Sequence, residues 1–114
     1  AGVASVEAAT LLYSIGRLYM GQGRHDKALE AYGRALEVQR KALGEEHPEF
    51  GNTLNNMASV YREQGRHDEA LEAYGRALEV DRKALGEEHP NFAITLNNMA
   101  LVYNDQGRHE EALE

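Results

Sequence analysis

The chain has 114 residues, with 12 Lys and Arg against 19 Asp and Glu, for a net charge of −7. That balance argues against a nucleic-acid binder, which needs clustered positive charge, and against docking on an anionic membrane. The lack of cysteine excludes a disulfide scaffold, a zinc–thiolate site and a cysteine nucleophile.

The rest of the composition is that of a folded chain: 42% hydrophobic, 11 glycines, 2 prolines. No apolar run approaches the ~20 residues that a membrane helix needs. The opening AGVASVEAAT lacks a charged start and a long apolar stretch, so no signal peptide is expected. These features set the expectation of a soluble, cytoplasmic, helical protein.

Internal repetition dominates the chain. Its first 21 residues form the most divergent copy of a unit. Residues 22–50 (QGRHDKALEAYGRALEVQRKALGEEHPEF) recur as 64–92 with 26 of 29 positions identical. The exceptions are Lys27/Glu69, Gln39/Asp81 and Glu49/Asn91, and the offset is 42 residues. TLNNMASVY at 53–61 returns as TLNNMALVY at 95–103. The units are expected at about 10–51 and 52–93, with a partial third at 94–114.

Each unit reads as two helices. In the second, Leu54, Met57, Ala58 and Tyr61 share one face of a helix from about Pro48 to Gln64, which Gly65 ends. The next helix is expected to start near Asp68, whose carboxylate suits a helix N-terminus. Its buried stripe would be Ala70, Leu71, Tyr74, Ala77, Leu78 and Leu85, with Gly86 as the C-terminal cap. His89 and Pro90 then open the next helix. Glu30–Arg34, Glu37–Lys41, Glu72–Arg76 and Glu79–Lys83 have the i,i+4 order that favours a helix. A lone hairpin cannot hide its apolar stripe, whereas stacked hairpins can.

The set Leu54, Met57, Ala58, Tyr61, Ala70, Tyr74 and Ala77 resembles the signature of the tetratricopeptide repeat (TPR). Leu12, Ile15, Gly16, Tyr19, Ala28, Tyr32 and Ala35 hold the same places one unit earlier, and Leu96, Met99, Ala100, Tyr103 and Ala112 one unit later. Arg40 and Arg82 stand where that family closes its second helix with proline. The longer period and the run KALGEEHP look like the repeats of kinesin light chain. The resemblance implies an all-α, right-handed superhelical solenoid of antiparallel helix pairs. First helices would line a concave groove that binds an extended peptide segment of a partner protein.

The resemblance also implies where a ligand would lie. Groove positions are Thr10, Tyr13, Ser14, Arg17 and Met20; then Asn52, Asn55, Asn56, Ser59 and Arg62; then Ile94, Asn97, Asn98, Leu101 and Asn104. Asn is a mediocre helix-interior residue, yet pairs stand at 55–56 and 97–98. A carboxamide bonds both N–H and C=O of a peptide backbone. The candidate peptide-binding residues are therefore Asn55, Asn56, Asn97, Asn98, Arg17, Arg62, Ser59 and Tyr13. The amides have an alternative use, which is to cap or bridge neighbouring repeats. Arg17 and Arg62 favour acidic ligand residues. The units, however, carry 0, −3 and −3, which steers basic partners toward the C-terminal end.

Other chemistry finds no support. His25, His67 and His109 recur at the turn of each pair, about one helix-pair spacing apart, too far to share a zinc ion. His47 and His89 read as helix-start residues. No nucleophile motif, phosphate-cradling loop, metal site or cofactor is expected. Gly33 and Gly75 inside second helices reflect either close approach of another helix or tolerance on an exposed face. The alternative function is self-association, end to end or swapped, through exposed repeat ends. Near-identical units fit that reading, as they fit a recently duplicated or consensus-type array.

Overall fold

The computed structural model describes residues 3–107. They form five helices: α1 (Val3–Gly21), α2 (His25–Ala42), α3 (Pro48–Glu63), α4 (His67–Ala84) and α5 (Pro90–Asp105). Among the described residues there is no strand. The second helix expected from EALE at 111–114 lies outside them.

The helices start and stop where local backbone chemistry requires. His47 is extended (φ −78°, ψ 139°), and its Nδ1 accepts the Glu49 N–H at 3.1 Å. Pro48 then opens α3, where a missing N–H costs nothing. His89, Asn91 and Pro90 repeat this at α5, again at 3.1 Å. Gly65 and Gly86 follow α3 and α4 with φ of +75° and +90°, values that favour glycine. The expected start of α4 near Asp68 is met: the helix begins at His67. Arg66 holds the cap position without a side-chain capping bond, and Asp68 lies inside the first turn. There it meets the positive end of the helix dipole rather than a cap geometry.

α1 packs on α2 and α3 on α4, while α2 also touches α3 and α4 touches α5. The result is an elongated stack, 46 × 33 × 18 Å. Three apolar clusters fill it. Ala28, Tyr32 and Val60 join the first pair to α3. Phe50, Leu54, Ala77 and Val80 sit within the second pair. Ala58, Ala70, Ala73, Tyr74 and Val102 join that pair to α5.

The buried stripe of α4 is wider than its pattern predicts. Leu71, Leu78 and Leu85 are only half-buried, whereas Ala73, Val80 and Asp81 are fully covered. The reason is that α4 is packed from two sides, by α3 and by α5. Arg76 lies 6.0 Å over the Phe50 ring. Glu37 and Glu79 pair with Arg40 and Arg82 as well as with Lys41 and Lys83.

Two glycine questions are answered by space. A Cβ on Gly16 would fall 2.6 Å from the Tyr32 ring, so α1 and α2 approach too closely there for any side chain. A Cβ on Gly33 or Gly75 would meet nothing within 4 Å. Close packing among the described residues therefore does not explain that pair.

Candidate functional site

The first helices of the units, α1, α3 and α5, share one face of the stack. A concavity of ≈ 210 Å³ opens there, lined by Tyr13, Asn52, Asn55, Asn56, Ser59, Asn91, Ile94 and Asn98. A wider hollow of ≈ 480 Å³ adjoins it, lined by Met20, Ser59, Arg62, Glu63 and Asp105. Five of the eight sequence-derived candidates line the first hollow: Tyr13, Asn55, Asn56, Ser59 and Asn98.

The two neighbouring asparagines of α3 turn in opposite directions. Successive helix residues are about 100° apart, so the two amides reach different partners from the same wall. Asn56 donates to the Tyr13 hydroxyl on α1 at 2.5 Å. Asn55 donates to Thr95 Oγ1 on α5 at 3.1 Å. Each amide thus bridges α3 to another first helix. Ser59 lies 2.8 Å from the Tyr74 hydroxyl and donates to the Asn55 carbonyl at 3.2 Å.

Arg62 is also engaged. Its Nε lies 2.6 Å from Asp105 Oδ2, and its terminal nitrogen donates to Oδ1 at 3.4 Å. This fork clasps α3 to α5. It raises the Arg62 guanidinium and holds the Asp105 carboxyl below the usual aspartate range. A ligand carboxylate would have to displace Asp105. Arg17, by contrast, is exposed on α1 and makes no ion pair among the described residues. Asn97 is exposed, and Asn98 half-buried. The side chain of neither makes a hydrogen bond among the described residues. The open amides of the concavity are therefore Asn98, with Asn52 and Asn91 beside it.

Three partners were not legible as site residues: Thr95, Asp105 and Asp81. Thr95 Oγ1 stands between Asn55 and Asp81, 3.2 Å from Asp81 Oδ2. Asp81 is fully buried, and its Oδ1 has no hydrogen-bond partner. Burial pushes its carboxyl above the usual range. In the preceding interface Thr53 donates to Gln39 Oε1 at 2.9 Å. The exchange of Gln39 for Asp81 was one of three differences between the long repeated runs. It was the available signal. Burial also pushes the Tyr32 phenol up to about 12.

Among the described residues no group of three or more His, Asp or Glu could hold a metal ion. His109 lies outside them. No described helix is long and apolar enough to cross a membrane. What the face offers is amide, hydroxyl and apolar surface in a shallow trough.

A stack of antiparallel helix pairs with a polar trough along its first helices is the architecture of a helical-repeat interaction scaffold. The sequence profile of the tetratricopeptide repeat matches residues 7–58 and 49–114, and the chain belongs to that family. Such repeats generally serve protein–protein interaction and are typically not enzymes.

Solved structures agree on the fold. BtubC (BKLC) from P. vanneervenii is 26% identical with a TM-score of 0.82, covering 91% of this chain and 42% of that one. A putative kinesin light chain from Podosopora anserina, with nearly identical TPR-like repeats, is 26% identical with a TM-score of 0.78. It covers 91% of this chain and 49% of its own. A nucleotide-binding leucine-rich repeat (NLR)-like protein of Hyaloscypha variabilis is 44% identical over 45 residues. That match spans 40% of this chain and 4% of the relative. The chain thus spans less than half the length of each of these proteins.

Proposed function

We propose that the trough along α1, α3 and α5 captures an extended peptide segment of a partner protein. The observation that carries this reading is the concavity of ≈ 210 Å³ with an unengaged amide, Asn98, on its wall. Asn98 contacts the peptide backbone, with Asn97, Asn52 and Asn91 beside it. Tyr13, Asn55, Asn56 and Ser59 shape the trough while holding the first helices together. Arg17, without an ion pair among the described residues, would meet an acidic ligand residue. Arg62 serves that role only by releasing Asp105.

The two asparagine types separate in an experiment. A peptide is first selected from a library against the whole chain. Asn98→Ala is then expected to weaken its binding about tenfold, one or two lost hydrogen bonds, with thermal stability unchanged. Asn56→Ala is expected to lower stability as well, because Tyr13 loses its partner. Unchanged affinity in Asn98→Ala would refute the assignment.

Self-association is the second reading, and one observation favours it. Leu11 and Leu18 on α1 are 62% and 61% exposed. The residues 42 positions on, Thr53 and Val60, are fully buried against the preceding pair. Light scattering against concentration tests it: a mass rising above 12.7 kDa supports it, and a constant 12.7 kDa rejects it.

A further inference from the structure

The trough and the buried interface between repeats are joined by one hydrogen-bonded chain. Asn55 belongs to the trough wall. Its Nδ2 lies 3.1 Å and its Oδ1 3.3 Å from Thr95 Oγ1. The same Oγ1 lies 3.2 Å from Asp81 Oδ2. Asp81 is sealed from water at 0% exposure, and its other oxygen is unpartnered. That oxygen sits 3.0 Å from where a Cβ of Gly51 would stand, against the bare backbone of α3.

A threonine hydroxyl has one proton to give. An ionised carboxylate only accepts, so it claims that proton. Thr95 must then accept from Asn55, which turns its NH₂ inward and leaves Oδ1 as the amide's free acceptor. A neutral Asp81 reverses the chain. Its proton goes on Oδ2, the oxygen with an acceptor in reach, and is donated to Thr95. Thr95 then donates to Asn55 Oδ1, and the amide rotates to keep its NH₂ free.

We infer that Asp81 is a positioning residue for the trough: its charge state, passed through Thr95, sets which end of the Asn55 amide is offered to a ligand. The consequence for ligands rests on the peptide-capture reading. With Asp81 ionised, Asn55 offers an acceptor to a ligand N–H. With Asp81 neutral, it offers a donor to a ligand C=O. From α5, Asp81 faces Thr95 and the titratable His89, whose charge favours the ionised form. From α3 it faces Gly51, which brings no charge. The preceding interface is a built-in control. Gln39 is neutral, and Tyr13 stands in the place of Asn55.

The test needs no peptide, so it stands or falls apart from the capture reading. Side-chain amide signals of the whole chain are followed by NMR from about pH 4 to about pH 8. The Asn55 signals are expected to titrate with a midpoint above the ordinary aspartate value of ~3.9. Asn97, outside the relay, stays still in that window. Asp81→Gln, the residue the chain already uses at 39, is expected to leave Asn55 flat. Thr95→Val is expected to do the same while Asp81 still titrates. It keeps the test decisive if the first variant fails to fold. An Asn55 signal that ignores pH in the parent chain overturns the inference. So does one that titrates equally in Thr95→Val.

Discussion

Tyr74→Ala is expected to destabilise the chain by about 3–5 kcal/mol, the range for emptying a buried aromatic site. Tyr74 is 1% exposed, and its ring belongs to the cluster that joins α3, α4 and α5 through Ala58, Ala70 and Val102. Its fully buried neighbours are mostly alanines, whose short side chains cannot move in to refill the space. In a stack where each pair holds only its neighbours, the loss falls on two interfaces at once. α4 loosens from α3, and α5 loosens from α4. Tyr74→Phe keeps the ring and removes only the hydroxyl beside Ser59, 2.8 Å away. It is expected to cost about 1 kcal/mol. Urea denaturation followed by helical circular dichroism measures both. An alanine variant that loses no more than the phenylalanine variant would mean the cluster does not hold the pairs together.

The fold was legible because its determinants are local and periodic. The His–Pro starts at 47–48 and 89–90, and the glycines at 65 and 86, act through their own backbone geometry. A repeat of 42 residues then dictates stacking, since no single pair covers its apolar stripe. What could not be read was the second face of the second helices. Val80 and Asp81 look like ordinary residues of an α4 surface until α3 packs on both and Thr95 of α5 closes on Asp81. A hydrophobic period describes one helix, not the two that press on it.

The trough was legible in outline and not in its wiring. The pairs at 55–56 and 97–98 stood out because asparagine is a poor helix-interior residue. Their composition could not tell binding from bridging, since one carboxamide serves both. The bridging partners stand far along the chain. Asn55 finds its partner 40 residues later, and Asn56 finds its own 43 residues earlier. Arg62 reaches Asp105, likewise 43 residues away. Those separations lie close to one repeat period, the spacing that sets each first helix beside the next. Asn98 keeps its amide free because no bond of that kind engages it among the described residues.

Asp81→Gln is expected to stabilise the chain by about 1–3 kcal/mol near neutral pH, the range for relieving a buried, unmatched polar group. The chain supplies the precedent. Gln39 holds the same place one repeat earlier, and its Oε1 accepts from Thr53. Burial raises the folded-state pKa of Asp81 above its unfolded value. The unfolded chain therefore gives up this proton first as pH rises. Below about 3.9 the group is neutral in both states and carries no penalty. The penalty grows as pH climbs from there through the raised folded value, and is complete above it. The advantage of Asp81→Gln should follow the same course, small in acid and full at neutral pH. Melting temperatures of the two chains at several pH values read this directly, at about 4–8 °C per kcal/mol for a domain of this size. A variant that melts below its parent at neutral pH would mean that the Asp81–Thr95 bond outweighs the buried charge. An advantage that widens toward acid would mean that the carboxyl is ionised more readily in the folded chain than in the unfolded one.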